Sequence, residues 1–500
     1  MVRAELSPDD EVLTYSELAA GVDAGIYGRN TGASVSLRYE RRFGWGKAED
    51  GDTISGIARG YMAVAPGVRI DAGGLAARSR IENGGAAVLG QFDDGDAVTQ
   101  VYSVYAGPSV TTRVGDVAVN ADYKIGYTRV ESPDTVAVPG APVTDVFDDS
   151  VSQMAGIHAG VKPYDVLPVG IGAGATYYRE DVSNLDQRVE DFQARADVTV
   201  PIQTNLAVVA GVGYEDVEIS SRDALYDGNG NPIVGAHGRY VTDKSKPRVI
   251  AYDTSGLIWD VGVIWRPSRR TALEAHVGKR YGSTTYYGTF AYAPNARSAL
   301  NISVYDNIAG FGGQLTRAIS GLPTEFEAIR NPLTGDIGGC VASVGEEVNA
   351  QGNCLSGALG SVRSSVFRSR GVMATYGVNL GRLQTGIGAG YDRRRFIGAP
   401  GTVLELADGV IDENYWLAAY LNGRIDQRSS FSTNLYANWF QSKSALTGDA
   451  SAIGASAAYN RLLGQKLSAT AALGLDGVNR ERPLEDYWVA SALLGLRYSF

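Results

Sequence analysis

Apolar and polar residues alternate along residues 488–500, the end of the chain, which read WVASALLGLRYSF. Every second residue, from Trp488 through Leu494 to Phe500, is apolar or aromatic, whereas the positions between them are mostly small or polar. This period of two predicts a β-strand with one apolar and one wetter face. Aromatic residues stand at both ends of the apolar face, which is typical of strands that cross a bilayer, where Trp and Tyr settle at the interfaces.

The same alternation recurs along the chain and predicts an all-β protein. It is clear in residues 33–45, 117–128, 257–266, 415–424 and 431–439, where charged residues fall mostly on one face. Periodicity alone does not separate a soluble sandwich from a membrane barrel. The aromatic strand ends and the number of strands favour the barrel.

Connections between the predicted strands alternate between short and long. Short ones carry the Gly, Pro, Asn and Asp of tight turns, as at Pro66-Gly67 and Gly381-Arg382. Long ones include residues 221–252 and 311–364. The alternation predicts a large transmembrane antiparallel up-and-down β-barrel of about 21–22 strands, with long extracellular loops and short periplasmic turns. The two longest loops either fold partly into the lumen, which we favour because a barrel this wide must be filled, or stand above the membrane.

The strand count predicts that one strand precedes the segment beginning at Val12. About 21 segments are counted, but a barrel of this class has an even number of strands. We therefore expect a 22-strand parent barrel, unless the count is wrong by one. Residues 1–11 would be the remnant of a preceding strand and loop, and residues 12–500 a single barrel. The strand at 488–500 should then face a gap or pair with the strand from Val12. The first residues show no signal segment, so we expect a trimmed chain or missing upstream sequence.

Composition and charge narrow the function classes. A formal net charge of −10 argues against a nucleic-acid partner, which would require a basic face. Cys340 and Cys354 lie in one polar, Gly-rich stretch, and in an oxidising compartment a disulfide between them would stabilise the loop by on the order of 3 kcal/mol. Two unpaired thiols are the alternative. No other cysteine or nearby histidine is available to complete a zinc site, and we expect no metal or cofactor.

Little in the sequence suggests an enzyme. The three histidines are His158, His237 and His276, and the first and last fall on the lumen side of their strands. Barrel hydrolases need a Ser and His at the lipid-facing rim, and no Gly-x-Ser-x-Gly motif occurs. We therefore interpret these histidines as polar residues that line the lumen.

Charges of both signs are predicted on the lumen face. They either set a field across a water-filled pore or form a hydrated ion-pair network that braces the wall. The lumen-side aromatics Trp416 and Tyr420 either stack on sugars or pack against an inward loop. The predicted lumen charges are Arg38, Arg42, Asp122, Arg195, Glu215, Asp260, Arg266, Glu274, Arg280, Asp392, Arg394, Arg424 and Arg497.

Several stretches carry a family resemblance. Residues 265–282 (WRPSRRTALEAHVGKRYG), 194–215, 237–248 and the closing GLRYSF resemble a group of alphaproteobacterial outer-membrane β-barrels associated with exopolysaccharide and PEP-CTERM loci. The resemblance implies a bacterial outer-membrane location and a further strand before Val12. The ending, with Tyr498 and Phe500, resembles the signal that the barrel-insertion machinery reads. The implied partners are outer-membrane lipid and lipopolysaccharide, that machinery and surface polysaccharide.

These observations predict a pore or export conduit for small solutes or surface carbohydrate. The alternative is a structural or anchoring barrel that is plugged by its own loops and presents them to a partner. A TonB-dependent transporter is disfavoured, because no plug domain precedes the strands in this sequence.

Overall fold

The chain forms a closed ring of antiparallel strands. A computed structural model describes residues 1–7, 11–81, 87–88, 98–131, 146–235, 238–343, 355, 357–360, 362–443, 448–480 and 486–500. The main sheet has 23 strands. One of them, the two-residue β6 (Ala87–Val88), pairs only with the end of β5, which leaves 22 strands in the ring. The prediction of a barrel of about 21–22 strands is confirmed.

The strands of the ring run in chain order with long connections at one rim and short ones at the other. They are β1 (Val2–Ser7), β2 (Val12–Tyr27), β3 (Thr31–Trp45), β4 (Gly51–Ala65), β5 (Val68–Ile81), β7 (Val98–Val114), β8 (Val117–Glu131), β9 (Asp149–Val161), β10 (Gly170–Val182), β11 (Gln187–Gln203), β12 (Leu206–Ser221), β13 (Val249–Ser268), β14 (Thr271–Arg280), β15 (Ser283–Asn295), β16 (Ser298–Ala309), β19 (Phe367–Asn379), β20 (Leu383–Phe396), β21 (Ile411–Arg424), β22 (Ser429–Ser442), β23 (Ala450–Leu462), β24 (Leu467–Arg480) and β25 (Tyr487–Tyr498).

In the described residues, further elements lie in the connections between these strands. The helix α1 (Phe311–Gly321) and the hairpin of β17 (Phe326–Arg330) and β18 (Ile337–Ser343) follow β16. Short 3-10 turns occur at Asn184–Asp186 and Val403–Ala407. Within the described ranges, no helix is both long and apolar enough to cross a membrane.

The short strand β1 closes the ring. Ala4 lies opposite Val12 of β2 and opposite Ala490 of β25, so β1 pairs with both neighbours. The Met1 ammonium also donates a hydrogen bond to the Tyr15 carbonyl, at 2.8 Å. The expectation that the last strand faces a gap, or pairs directly with the strand from Val12, is therefore wrong. Six residues are enough to reach both edges, because β1 enters between the outer ends of β2 and β25.

The wall has one lipid-facing and one lumen-facing side. On β25, Leu494 and Leu496 are 85% and 72% exposed on the outer face, whereas Val489 and Ser491 on the other phase are buried. The alternation predicted for the last strand is confirmed. A closed ring with such an apolar outer face satisfies every backbone group internally, and it is the architecture of a bacterial outer-membrane barrel.

Tight turns join the strands at the periplasmic rim. Gly67 and Gly381 adopt φ values of +76° and +81°, in the left-handed region that glycine enters without steric cost. The Asn379 side chain accepts a hydrogen bond from the Gly381 amide at 3.0 Å, which fixes the turn between β19 and β20. Both turns were predicted from their Gly and Pro residues.

Candidate functional site

The lumen is occupied by part of the chain itself. We call the described residues between β16 and β19, which are 310–343, 355, 357–360 and 362–366, the inward segment. Its helix α1 lies against β7, β8 and β9 on their lumen side. Phe311, Leu315 and Ile319 of α1 are fully buried in one apolar cluster with wall residues that include Val101 and Val130. The prediction that the loop at 311–364 folds inward is confirmed.

Apolar packing and a buried carboxylate fix α1 to the wall. Burying each large apolar side chain stabilises the contact by about 1.5–3 kcal/mol. Glu180 of β10 accepts hydrogen bonds from the Gly310 amide at 2.6 Å and the Gly313 amide at 2.9 Å, at the start of the helix. A carboxylate at this position satisfies amides that have no partner within the helix and complements the helix dipole.

Two glycines allow this close approach. A Cβ atom on Gly313 would lie 1.8 Å from the Tyr178 hydroxyl oxygen. One on Gly126 of β8 would lie 2.5 Å from Oγ1 of Thr316. Substitution at either position would therefore push α1 away from the wall.

We call β17, β18 and the residues between them the lumen hairpin. Polar contacts hold it to β3, β4 and β5. The Phe326 amide donates to the Ser34 hydroxyl at 3.2 Å. The Arg330 guanidinium donates to Oγ of Ser36 and Ser55 at 2.9 Å each. Burial lowers the pKa of this guanidinium below its ordinary value.

A buried ion pair adds to these contacts. Nη2 of Arg78 on β5 lies 2.6 Å from Oδ2 of Asp336, and Nε of Arg78 lies 3.0 Å from Oδ1. The two side chains are only 6% and 11% exposed. This bidentate geometry is the strongest form of an arginine–carboxylate contact.

The other side of the lumen hairpin contacts strands β21 to β24. Leu333 is buried in a cluster with Ala458 and Ala472 of β23 and β24. Ile329 packs against Trp416 of β21, and the Asn434 side chain donates to the Arg330 carbonyl at 2.8 Å. The hairpin therefore bridges β3–β5 and β21–β24, two groups of strands that flank the closing strands β25, β1 and β2. Of the two interpretations of Trp416, the structure shows packing against the inward loop.

The chain returns to the wall through a second set of contacts. Nη2 of Arg394 donates to the Gly357 carbonyl at 2.7 Å and to the Ala358 carbonyl at 3.2 Å. The Gln187 side chain donates to the Ser364 carbonyl at 3.0 Å. These contacts position residues 357–360 and 362–366 beside β11 and β20.

A charged network lines the wall at β11, β13 and β14. The Arg195 guanidinium forms a bidentate contact with Asp260, at 2.6 and 2.9 Å. Asp260 also contacts Nδ1 of His276 at 2.9 Å, and Nε2 of that ring lies 3.3 Å from Glu274. The His276 ring stacks on Tyr287, with centroids 4.7 Å apart. The Arg195 guanidinium also donates to the Asp197 carboxylate at 3.2 Å, and Nε2 of His158 lies 3.0 Å from the same carboxylate.

A second polar surface lies near the periplasmic ends of β4, β5, β7 and β8. An open cavity of about 460 Å³ there is lined in part by Arg69, Ser109 and Asp122. Nε of Arg69 lies 2.9 Å from Asp71, and the Ser109 hydroxyl lies 3.3 Å from the same carboxylate. The periplasmic half of this wall is therefore polar.

The predicted lumen charges fall into two groups. Some form ion pairs or hydrogen bonds along the wall: Arg38 with Glu17 and Glu40, Arg195 with Asp260, Glu274 with His276, Arg280 with Glu215, and Asp392 with Arg394. Arg42 is also buried. Asp122, Arg266, Arg424 and Arg497 are exposed, and Arg497 lies 3.7 Å from Asp23.

The insertion signal at the end of the chain and the disulfide are two sequence predictions that stay predictions. Tyr498 and Phe500 are exposed with ring centroids 5.1 Å apart, and their role as an insertion signal stays a prediction. Cys354 and His237 lie outside the described residues, so the disulfide between Cys340 and Cys354 stays a prediction. Within the described part of the chain, no group of three or more His, Cys, Asp or Glu residues could hold a metal ion.

Sequence reasoning missed the residues that hold the inward segment. Glu180, Arg78 and Asp336 were not predicted as site residues. For Glu180 the available signal was the Gly310-Phe311-Gly312-Gly313 stretch, which leaves a helix start accessible to a wall residue. Arg78 and Asp336 are 258 positions apart, and no local pattern joins them.

The loop between β12 and β13, which is also predicted to fold partly into the lumen, instead contacts other loops at the outer rim. Its strand-like pairs Ala224–Thr242 and Val234–Tyr240 make a small hairpin. The Arg239 guanidinium donates to the carbonyls of Val130, at 3.1 Å, and of Val146, at 3.2 Å. These contacts fix the loop over the ends of β8 and β9.

Comparisons with known proteins give structural likeness only. No protein-family model matches the chain, and a search of curated proteins found no match. The FrpB iron transporter from Neisseria meningitidis (F3-3 variant) is 11% identical with a TM-score of 0.42, over 99% of this chain and 80% of that one. The open form of the ferric-catecholate import receptor Fiu from E. coli K12 is 9% identical with a TM-score of 0.43, over 99% and 80%. BauA, the ferric preacinetobactin receptor from Acinetobacter baumannii, is 10% identical with a TM-score of 0.42, over 99% and 79%.

Proposed function

We propose that this outer-membrane barrel is a gated conduit for small solutes or surface carbohydrate, and that the lumen hairpin is its gate. The observation that carries the proposal is the difference between the two parts of the inward segment. Apolar packing is the main support of α1, whereas the lumen hairpin, whose Phe326 and Ile337 share the α1 cluster, is also joined to β3–β5 by polar contacts of Arg330 and Asp336. Water can replace hydrogen bonds at little net cost, but it cannot replace apolar contacts. The hairpin therefore has a larger share of contacts that water can replace than α1 has, and we expect it to move while α1 stays.

The polar wall supports passage rather than permanent closure. Arg195, Asp260 and Glu274 bring both signs of charge to the surface of β11–β14. A wall of paired charges stays hydrated and sets no strong field of one sign, so it suits neutral or weakly charged solutes. Carbohydrate belongs to that class, and export of a surface carbohydrate is supported by the family resemblance.

An anchoring role is the second candidate. The outward loop at 222–248 is fixed to the rim by Arg239 and exposes Leu225, Tyr226 and Val234. A rigid surface loop with exposed apolar side chains suits contact with a partner protein. In that case the inward segment would be a permanent plug.

Osmotic swelling of proteoliposomes separates the two candidates. We expect slow entry of small neutral sugars through the wild-type barrel and faster entry through Arg330→Ala/Asp336→Ala, which removes two hairpin contacts. The matched control Arg428→Ala/Asp426→Ala changes the same residue types in a periplasmic turn and should behave as wild type. No solute entry through any of the three barrels would refute the conduit and favour the anchor.

A further inference from the structure

Aromatic and amide side chains alternate along the lumen face of β21 and β22. The register places Trp416 opposite Asn438 and Tyr420 opposite Asn434, with the Ala418–Tyr436 pair between them. Residues directly opposite in such pairs lie about 5 Å apart, and successive lumen-facing positions on one strand about 7 Å apart. Two ring–amide pairs therefore follow one another along the pore axis.

Several amide atoms on this surface have no hydrogen-bond partner among the described residues. Asn414 is 5% exposed, and neither its side-chain nitrogen nor its oxygen is paired. The side-chain oxygens of Asn434 and Asn438 are also buried and unpaired. A buried polar group without a partner costs roughly 1–3 kcal/mol, so such groups call for a ligand or ordered water.

This surface differs in charge from the wall at β11–β14. From Asn414 to Asn422, the lumen-facing positions of β21 carry only Asn, Trp, Ala and Tyr. Tyr436 on β22 donates its hydroxyl to Asp476 at 2.7 Å, which occupies an oxygen of that carboxylate. By contrast, β11–β14 carry the Arg195–Asp260–His276 network. The chemistry therefore suits a neutral ligand.

We propose that Asn414, Trp416, Tyr420, Asn434 and Asn438 form a binding track for a neutral oligosaccharide. Flat rings pack against the C–H face of a sugar, and amides both donate to and accept from its hydroxyls. The inward segment covers the track: Ile329 packs on Trp416, and a Cβ on Gly360 would lie 2.3 Å from Nδ2 of Asn414. The inference rests on the proposed function, because the track becomes accessible only when the lumen hairpin moves.

Block of ion current by an oligosaccharide tests the track. In planar bilayers we expect maltohexaose to reduce the current through Arg330→Ala/Asp336→Ala. Adding Trp416→Ala and Tyr420→Ala should raise the half-blocking concentration about tenfold or more, because two stacking surfaces are lost. The control Tyr415→Ala removes a ring from the lipid face of the same strand and should not change the block. Ion current without block, or an equal block in the Trp416→Ala/Tyr420→Ala barrel, would overturn the track and leave the conduit standing.

Absence of current in every variant would instead refute the conduit. The track is then decided by calorimetric titration of maltohexaose into the detergent-solubilised Arg330→Ala/Asp336→Ala barrel. Binding that Trp416→Ala abolishes and Tyr415→Ala preserves supports the track. Absence of binding overturns it.

Discussion

Arg78 and Asp336 form a buried ion pair between the barrel wall and the lumen hairpin. Their closest atoms are 2.6 Å apart, although the residues are 258 positions apart in the chain. The contact fixes the hairpin against β5 at the level of the apolar cluster that holds α1.

Removing one partner of this pair should cost more than removing both. Asp336→Ala leaves the Arg78 charge buried without its carboxylate, which typically costs about 3–5 kcal/mol. Arg78→Leu/Asp336→Leu removes both charges and should be closer to wild type. Urea unfolding in lipid vesicles, followed by tryptophan fluorescence, measures both. Equal losses of stability in the two variants would show that the pair is not coupled.

Close packing of α1 on β8 depends on the absence of a side chain at Gly126. Gly126→Leu should displace the helix, because even a Cβ there would lie 2.5 Å from Oγ1 of Thr316. We expect faster tryptic cleavage after Arg317 in the intact barrel. Gly464→Ala is the control, since a Cβ at that position meets no atom within 4 Å. Equal cleavage rates would contradict the placement of α1.

The Arg195 network should set ion selectivity. Arg195→Ala leaves Asp260 and Asp197 without their shared cation, so a conducting barrel should become more cation-selective. The reversal potential under a KCl gradient, measured in the Arg330→Ala/Asp336→Ala background, reports this change. Arg270→Ala, in an exposed periplasmic turn, should leave the potential unaltered. An unchanged potential with Arg195→Ala would place the network outside the ion path.

Closure of the ring by β1 predicts a specific cross-link. With Cys340 and Cys354 replaced by Ser, Ala4→Cys/Ala490→Cys should oxidise to a disulfide, since directly opposite Cβ atoms lie roughly 4.5–5.5 Å apart. Ala4→Cys/Leu494→Cys is displaced by four residues and should remain reduced. Mobility on non-reducing gels distinguishes the two. The reverse result would place β1 in another register.

Acid should loosen the tip of the outward loop. Backbone amides of Asn231 and Asn229 donate to Asp227 at 2.8 and 2.9 Å and hold the pKa of its carboxylate below the usual range. The stabilisation is therefore complete above the ordinary aspartate pKa and is lost as pH falls through the lower folded-state value. NMR titration should show the two amide signals shifting in that acidic window. Asp227→Asn should abolish the shift; its persistence would refute the assignment.

The sequence predicted the wall better than the contents of the lumen. The alternation of apolar and polar residues identified the outer face of β25 and the lumen side of Arg38 and Glu215. Successive side chains of a strand point to opposite faces of the sheet, so the pattern assigns each residue to a face. It could not identify Glu180 or Arg78 as anchors. Which lumen-facing residue meets the inward segment depends on the path of a long loop, and that path is set by contacts between residues far apart in the chain.

Unitary conductance in planar bilayers tests the central claim, that the lumen hairpin closes this barrel, most directly. The wild-type barrel should show small or rare openings, and Arg330→Ala/Asp336→Ala should show frequent and several-fold larger ones. The Arg428→Ala/Asp426→Ala barrel should match wild type. Identical conductance in all three barrels, whether large or absent, would contradict the hairpin's role as a gate.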